Sequence, residues 1–167
     1  YDRPVAMGYN AGLQIPNTYL ASIGFNSGVY GQQYGGVTLG AYSGYRAQGS
    51  YVTALGTFAG QSFALANTVA IGAGGGRFGQ NLYSVAIGSL AGYNSQGSES
   101  VAMGYQAGMS SQGIECVAIG PYAGMISQNN HSVAIGPYAG TSGQAIYTVA
   151  IGREAGRFGQ ETQTVAI

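Results

Sequence analysis

Val117-Ala118-Ile119-Gly120-Pro121-Tyr122-Ala123-Gly124 returns unchanged sixteen residues later as Val133-Ala134-Ile135-Gly136-Pro137-Tyr138-Ala139-Gly140. The figure runs through the whole 167-residue chain. It opens as Val5-Ala6-Met7-Gly8, Ala21-Ser22-Ile23-Gly24, Val37-Thr38-Leu39-Gly40 and Thr53-Ala54-Leu55-Gly56. It continues from Val69, Val85, Val101, Val117, Val133, Val149 and Val165 with no insertion or deletion. With the Val as position 1, positions 4 and 8 are Gly in all ten complete repeats, and position 12 is Gln in eight. Self-similarity at a short fixed period is the signature of a solenoid.

Each column has a physical reason. Val-Ala-Ile is a three-residue strand with large apolar groups on one face and a methyl on the other. Such a strand gains stability only by pairing with its copies in neighbouring rungs. The glycines at positions 4 and 8, among them Gly88, Gly92, Gly104, Gly108, Gly120, Gly124, Gly136 and Gly140, fit corners that need positive φ or close approach. Ala at position 7 (Ala91, Ala107, Ala123, Ala139) predicts a second short strand packed close to the first. Gln96, Gln112, Gln128 and Gln144 are expected to form a ladder of side-chain amides, each donating to the next. A helix is excluded, because two Gly in every sixteen residues and short β-branched strands oppose it.

The expected fold is an all-β parallel β-roll or β-solenoid of 16-residue rungs, with two short strands in each. Degenerate repeats span residues 1–68 and regular ones 69–167, in one continuous solenoid. Val85, Ile87, Val117, Ile119, Val133 and Ile135 are assigned to the core or to an interface between protomers. So thin a roll has two apolar strand faces, one to fill the interior and one to meet a partner. The sequence leaves open which does which.

The Ser-Val-Ala-Ile-Gly figure, present at Ser84-Val85-Ala86-Ile87-Gly88 and Ser132-Val133-Ala134-Ile135-Gly136, resembles the head repeat of YadA-type trimeric autotransporter adhesins. The variant from Ile119-Gly120-Pro121-Tyr122-Ala123-Gly124 to Gln128 is also similar to repeats in fibre-like proteins of large viruses and phages. The resemblance implies a left-handed β-roll assembled as a homotrimer, on the surface of a virion or cell. It implies a structural and adhesive role, with a host surface glycan or an extracellular matrix protein as partner. The matching residues build the rod and specify no ligand. Nothing resembles the stalk or anchor of an autotransporter, and the chain is expected to be a piece of a longer fibre.

Composition narrows the function further. Charged residues make up 6% of the chain, Lys is absent, and five Arg balance five acids. Five scattered Arg make no basic stripe, which excludes nucleic acid as a partner. One Cys and one His leave little scope for a disulfide framework, a metal site or acid–base chemistry. No apolar run approaches the roughly 18 residues of a membrane span, so no direct membrane insertion and no cofactor are expected.

Tyrosine avoids the structural columns. Tyr105, Tyr122, Tyr138 and Tyr93 fall at corner positions, suited to binding protein or glycan, or to shielding the rung edges. Glu99, Glu115 and His131 share position 15 in consecutive rungs, a column that holds a cation or, more simply, a solvated edge. Ile71-Gly72-Ala73-Gly74-Gly75-Gly76 imitates a dinucleotide loop, but Arg77 stands where its third Gly belongs and no helix pattern follows. Cys116 reads as a buried replacement for Ser or Thr, and Asn130-His131-Ser132 is a lone glycosylation sequon. Arg77-Phe78-Gly79-Gln80 recurs as Arg157-Phe158-Gly159-Gln160, a hint of longer duplication.

The alternative to a fibre is an ice-binding β-solenoid presenting Thr68, Ser84, Ser100, Ser132, Thr148 and Thr164 as a hydroxyl rank. A depolymerising enzyme is disfavoured. Glycoside hydrolysis needs two carboxylates facing each other across a groove, and of Asp2, Glu99, Glu115, Glu154 and Glu161 only Glu99 and Glu115 are neighbours.

Overall fold

A three-residue strand flanked by glycine has hydrogen bonds to offer only along the stacking direction, so its fold is decided by its copies. The computed structural model describes residues 4–14 and 19–167, which form an all-β parallel solenoid of about ten turns without a helix. Eleven strands, from Val5–Met7 through Val85–Ile87 and Val117–Ile119 to Val165–Ala166, make one parallel sheet. The register sets Val117 between Val101 and Val133, and Ala118 between Ala102 and Ala134. At the usual strand spacing the sheet runs roughly 50 Å.

A second, five-stranded parallel sheet contains Phe78–Gln80, Asn94–Gln96, Ser110–Gln112, Ile126–Gln128 and Ser142–Gln144. It extends toward the N-terminus only as single bridges, Tyr30 to Arg46 to Ser62 to Phe78. The position-7 alanines do not form this strand. Ala91, Ala107, Ala123 and Ala139 are fully buried, but they lie in the turn between the two sheets. That turn is tight, and its inward position takes only small side chains, Ala here and the buried Ser27 and Ser43 in earlier rungs.

The alternation of the long sheet assigns its two faces. Ala86, Ala102, Ala118, Ala134 and Ala150 point inward and are completely buried, packed against the turn alanines. Val85, Ile87, Val117, Val133 and Ile135 are half-buried, and Ile119 is 37% exposed. These six side chains are therefore not core. The roll is too thin to hold two large apolar residues per strand, so the methyl face goes in and the Val/Ile face goes out.

The turns are paired along the axis as thoroughly as the strands. Gly88 N–H donates to the Ile71 carbonyl, Leu90 to Ala73 and Gly92 to Ala107, all between adjacent rungs. Aiming these groups along the axis requires left-handed residues at regular intervals. At position 4, Gly88 has φ +131°, and a Cβ there would stand 2.6 Å from the Gly104 carbonyl oxygen. Left-handed residues other than glycine recur at position 6 (Leu90, Tyr122, Tyr138), position 11 (Ser95, Ser111, Ser127) and position 15 (Tyr83, Glu99, Glu115, His131). L-residues adopt this conformation at a cost, and Asn tolerates it best.

Two stability predictions follow from this backbone. Gly88→Ala should cost about 2 kcal/mol or more and lower Tm by several degrees, because strain adds to a backbone clash. Glu99→Asn should instead raise Tm by roughly 2–4 °C, since Asn accepts the φ of +56° that Glu99 must adopt, as Asn67 does in the same column. Thermal unfolding by circular dichroism checks both.

Candidate interaction surfaces

The outward face of the long sheet is predominantly apolar. Position 1 is Val except at Ala21 and Thr53, and position 3 is Ile, Leu or Met throughout, giving two columns side by side that are continuous from Val69 onward. Val37, Leu39, Met103 and Ile151 are exposed there with Ile119, as are Val5, Met7, Ile23, Val165 and Ile167 toward the two ends, and the others are half-buried. Exposed apolar bands of this kind are a common feature of contact regions on protein surfaces.

The predicted amide ladder takes a different form. The glutamines are buried, as a ladder requires, but most Nε2 groups reach across the roll to backbone carbonyls. Gln96 Nε2 donates to Val85 O at 2.7 Å and to Ser100 O at 3.2 Å, and Gln128 Nε2 to Val117 O and Ser132 O. Amide-to-amide bonds occur at two steps, Gln112 to Gln128 and Gln144 to Gln160. Each Gln is thus a strut tying the second sheet to the first. Its Oε1 lies against the position-8 glycine: a Cβ on Gly92 would stand 2.5 Å from Gln96 Oε1, and one on Gly124 as close to Gln128 Oε1. The Gly and Gln columns are one packing unit.

The hydroxyl rank turns inward as well. Thr68, Ser84, Ser100, Ser132 and Thr148 are fully buried and donate to carbonyls three residues back, as Ser84 Oγ does to Asn81 O at 2.6 Å. No hydroxyl array faces solvent from that column. Cys116 occupies the same buried place, its thiol on Asn129 O at 2.9 Å. On the rim, His131 Nδ1 lies 3.3 Å from Glu115, and its ring stacks on Tyr147 at 5.1 Å. No group of three His, Cys, Asp or Glu suited to a metal ion occurs among the described residues. Asp2 lies outside them.

The tyrosines assigned to surface binding are largely engaged with one another. Tyr122 and Tyr138 stack at 4.8 Å with planes 9° apart, and Tyr105 meets Tyr122 edge-on at 5.3 Å. A spacing equal to that of the strands puts these rings across the axis, each covering the next. Arg157 closes the row, 5.1 Å from the Tyr138 ring and 5.0 Å from Phe158. Eighty residues earlier the same row stands as Phe25, Tyr42, Phe58, Arg77 and Phe78. Its edge contact is 5.5 Å, its stack 5.4 Å, and Arg77 lies 4.5 Å over Phe58. The repeated Arg-Phe-Gly-Gln quartet is thus the visible end of a duplicated aromatic row. Tyr93 belongs to the first row, edge-on to Phe78 and accepting from Arg77 through its hydroxyl at 3.1 Å.

One concave place was not anticipated. Position 11 is Gly, Ala or Ser in most described rungs, but Phe63 stands there with 64% of its surface exposed. Below it Gly31 and Ala47 leave a step. Tyr30, Gly31, Arg46, Ala47 and Phe63 border a shallow, open hollow of about 380 Å³, and a second hollow of about 260 Å³ shares Gly31, Ala47 and Phe63 and reaches Gln33 and Leu65. The signal was present in the sequence: Ser62-Phe63-Ala64 breaks the position-12 Gln column at the rung where a large ring enters a small-residue column.

Comparison with protein-family models, curated proteins and solved structures finds no match, so these surfaces stand on their own chemistry.

The aromatic row carries a pH prediction. Burial first, then the flanking Tyr105 and Tyr138, hold the Tyr122 phenol above the usual tyrosine range. The unfolded chain therefore releases this proton first, and the contribution to stability is full below the ordinary phenol pKa and fades above it. Tm should fall more steeply between roughly pH 9 and 11 in the parent than in Tyr122→Phe.

Proposed function

We propose that the chain is the rod segment of a structural and adhesive surface fibre, a left-handed β-roll of sixteen-residue rungs in which three copies pack side by side. The observation that carries this reading is the pair of outward Val and Ile columns. One roll buries its methyl face and leaves its large apolar residues in water, an arrangement that suits a chain with partners along its length. A formally uncharged, Lys-free surface offers little resistance to such assembly. The resemblance to YadA-type heads and viral fibre repeats supports three as the number, and an extracellular site on a virion or cell. It also supports a host glycan or matrix protein as what the fibre meets. The interior and turns are occupied by packing and hydrogen bonding, which fits a passive rod better than an enzyme.

Size exclusion with light scattering tests the assembly. The parent should elute with a molar mass about three times the chain's 16.9 kDa. The pair Val117→Lys and Val133→Lys should give a folded monomer, because two charges would then face the partner's apolar columns. A parent that runs as a clean monomer would overturn the trimer.

A further inference from the structure

The side chains around the hollow beside Phe63 combine a cation with an exposed ring on the second-sheet side of the roll. No Asp or Glu occurs between Asp2 and Glu99, and beyond Arg3, which lies outside the described residues, Arg46 and Arg77 are the charges of that stretch. Arg77 is committed to the aromatic row and donates to Gln61 Oε1 at 2.7 Å. Arg46 is not committed in this way. Its guanidinium lies 5.6 Å from the Tyr45 ring and pairs with no carboxylate among the described residues. It is exposed, on the wall of the hollow.

We propose that this hollow is a binding site for an acidic saccharide, in which a pyranose ring lies on Phe63 and its carboxylate pairs with Arg46. Three features select that chemistry. Phe63 presents a ring that stacks on no other ring among the described residues, and a flat aromatic surface complements the C–H face of a sugar. Arg46 supplies a planar donor pair matched to a carboxylate. Tyr30 and Gln33 are among the lining residues, and their polar groups would serve sugar hydroxyls.

A peptide fits less well. Extended peptides are held by free main-chain groups at a sheet edge. Here those groups are used along the axis, Ala47 N–H on Tyr30 O at 3.0 Å and Phe63 N–H on Arg46 O at 3.2 Å. The hollow also lies on the second-sheet side of the roll, across the interior from the outward Val and Ile columns, so packing of copies through those columns would leave it open. The site deepens the adhesive part of the fibre reading by naming the class of ligand.

Saturation-transfer NMR on the full chain tests it with two probes, methyl β-glucuronide and its neutral counterpart methyl β-glucoside. The glucuronide should bind at least about tenfold more tightly than the glucoside. Arg46→Gln should remove that preference. Phe63→Ser, which installs the residue found at the same place in Ser95, Ser111 and Ser127, should weaken both sugars while leaving Tm within a few degrees of the parent. Equal binding of the two sugars, unchanged binding by either variant, or no binding by the parent would each overturn the site. A trimer that ignores glucuronide would sink the site and leave the fibre standing. A monomer that binds it would do the reverse.

Discussion

Every rung of this protein must hand its backbone hydrogen bonds to the rungs on either side, in the turns as well as in the strands. A strand does this by default. A turn does it only if its peptide planes are rotated to lie along the axis, and an L-residue chain achieves that by entering the left-handed region at fixed places. The glycines at positions 4 and 8 meet the requirement without strain. Positions 6, 11 and 15 meet it with Tyr, Leu, Ser, Glu and His, all at φ between about +50° and +60°. Strain of this kind persists only where the surroundings over-determine the backbone. Here the over-determination is the stack itself.

The same constraint explains the poverty of the core. Rungs paired this closely leave an interior of alanine methyls, buried hydroxyls and one long polar strut. Gln earns its place because its amide spans the roll and reaches carbonyls on the opposite strand, which an apolar side chain of equal length cannot satisfy. The glycine four residues earlier gives the strut its room. In the regular rungs large apolar and aromatic groups stay outside, as Val and Ile columns on one face and stacked rings on a corner, whereas Leu20, Val29 and Val52 are buried in the degenerate rungs.

Stacking also turns any local departure into a surface feature. Where a column continues unchanged, like meets like at the strand spacing and the surface is smooth, as with Tyr122 on Tyr138. Where a column is interrupted, as at Gly31, Ala47 and Phe63, the change of size makes a step. The functional reading of the molecule rests on these two outcomes. The smooth apolar columns suit repeated copies of one partner, and the step suits a discrete ligand.

Period, parallel strands and the corner glycines were legible in the sequence, because an unbroken sixteen-residue repeat leaves each strand no partner but its own copy. The burial of Cys116 was legible from the Ser/Thr column it replaces. Only the tertiary structure decided which strand face is interior, since Val-Ala-Ile alternation offers two faces and the width of the roll chooses between them. It moved the second strand from Ala91 to Asn94–Gln96, turned the Ser/Thr column inward, and redirected the glutamines from one another to carbonyls across the roll. It also assembled rings distant in sequence into a duplicated row and gave Arg46 a hollow to line. Those are distances across the roll and along its axis, and a sequence pattern records spacing along the chain alone.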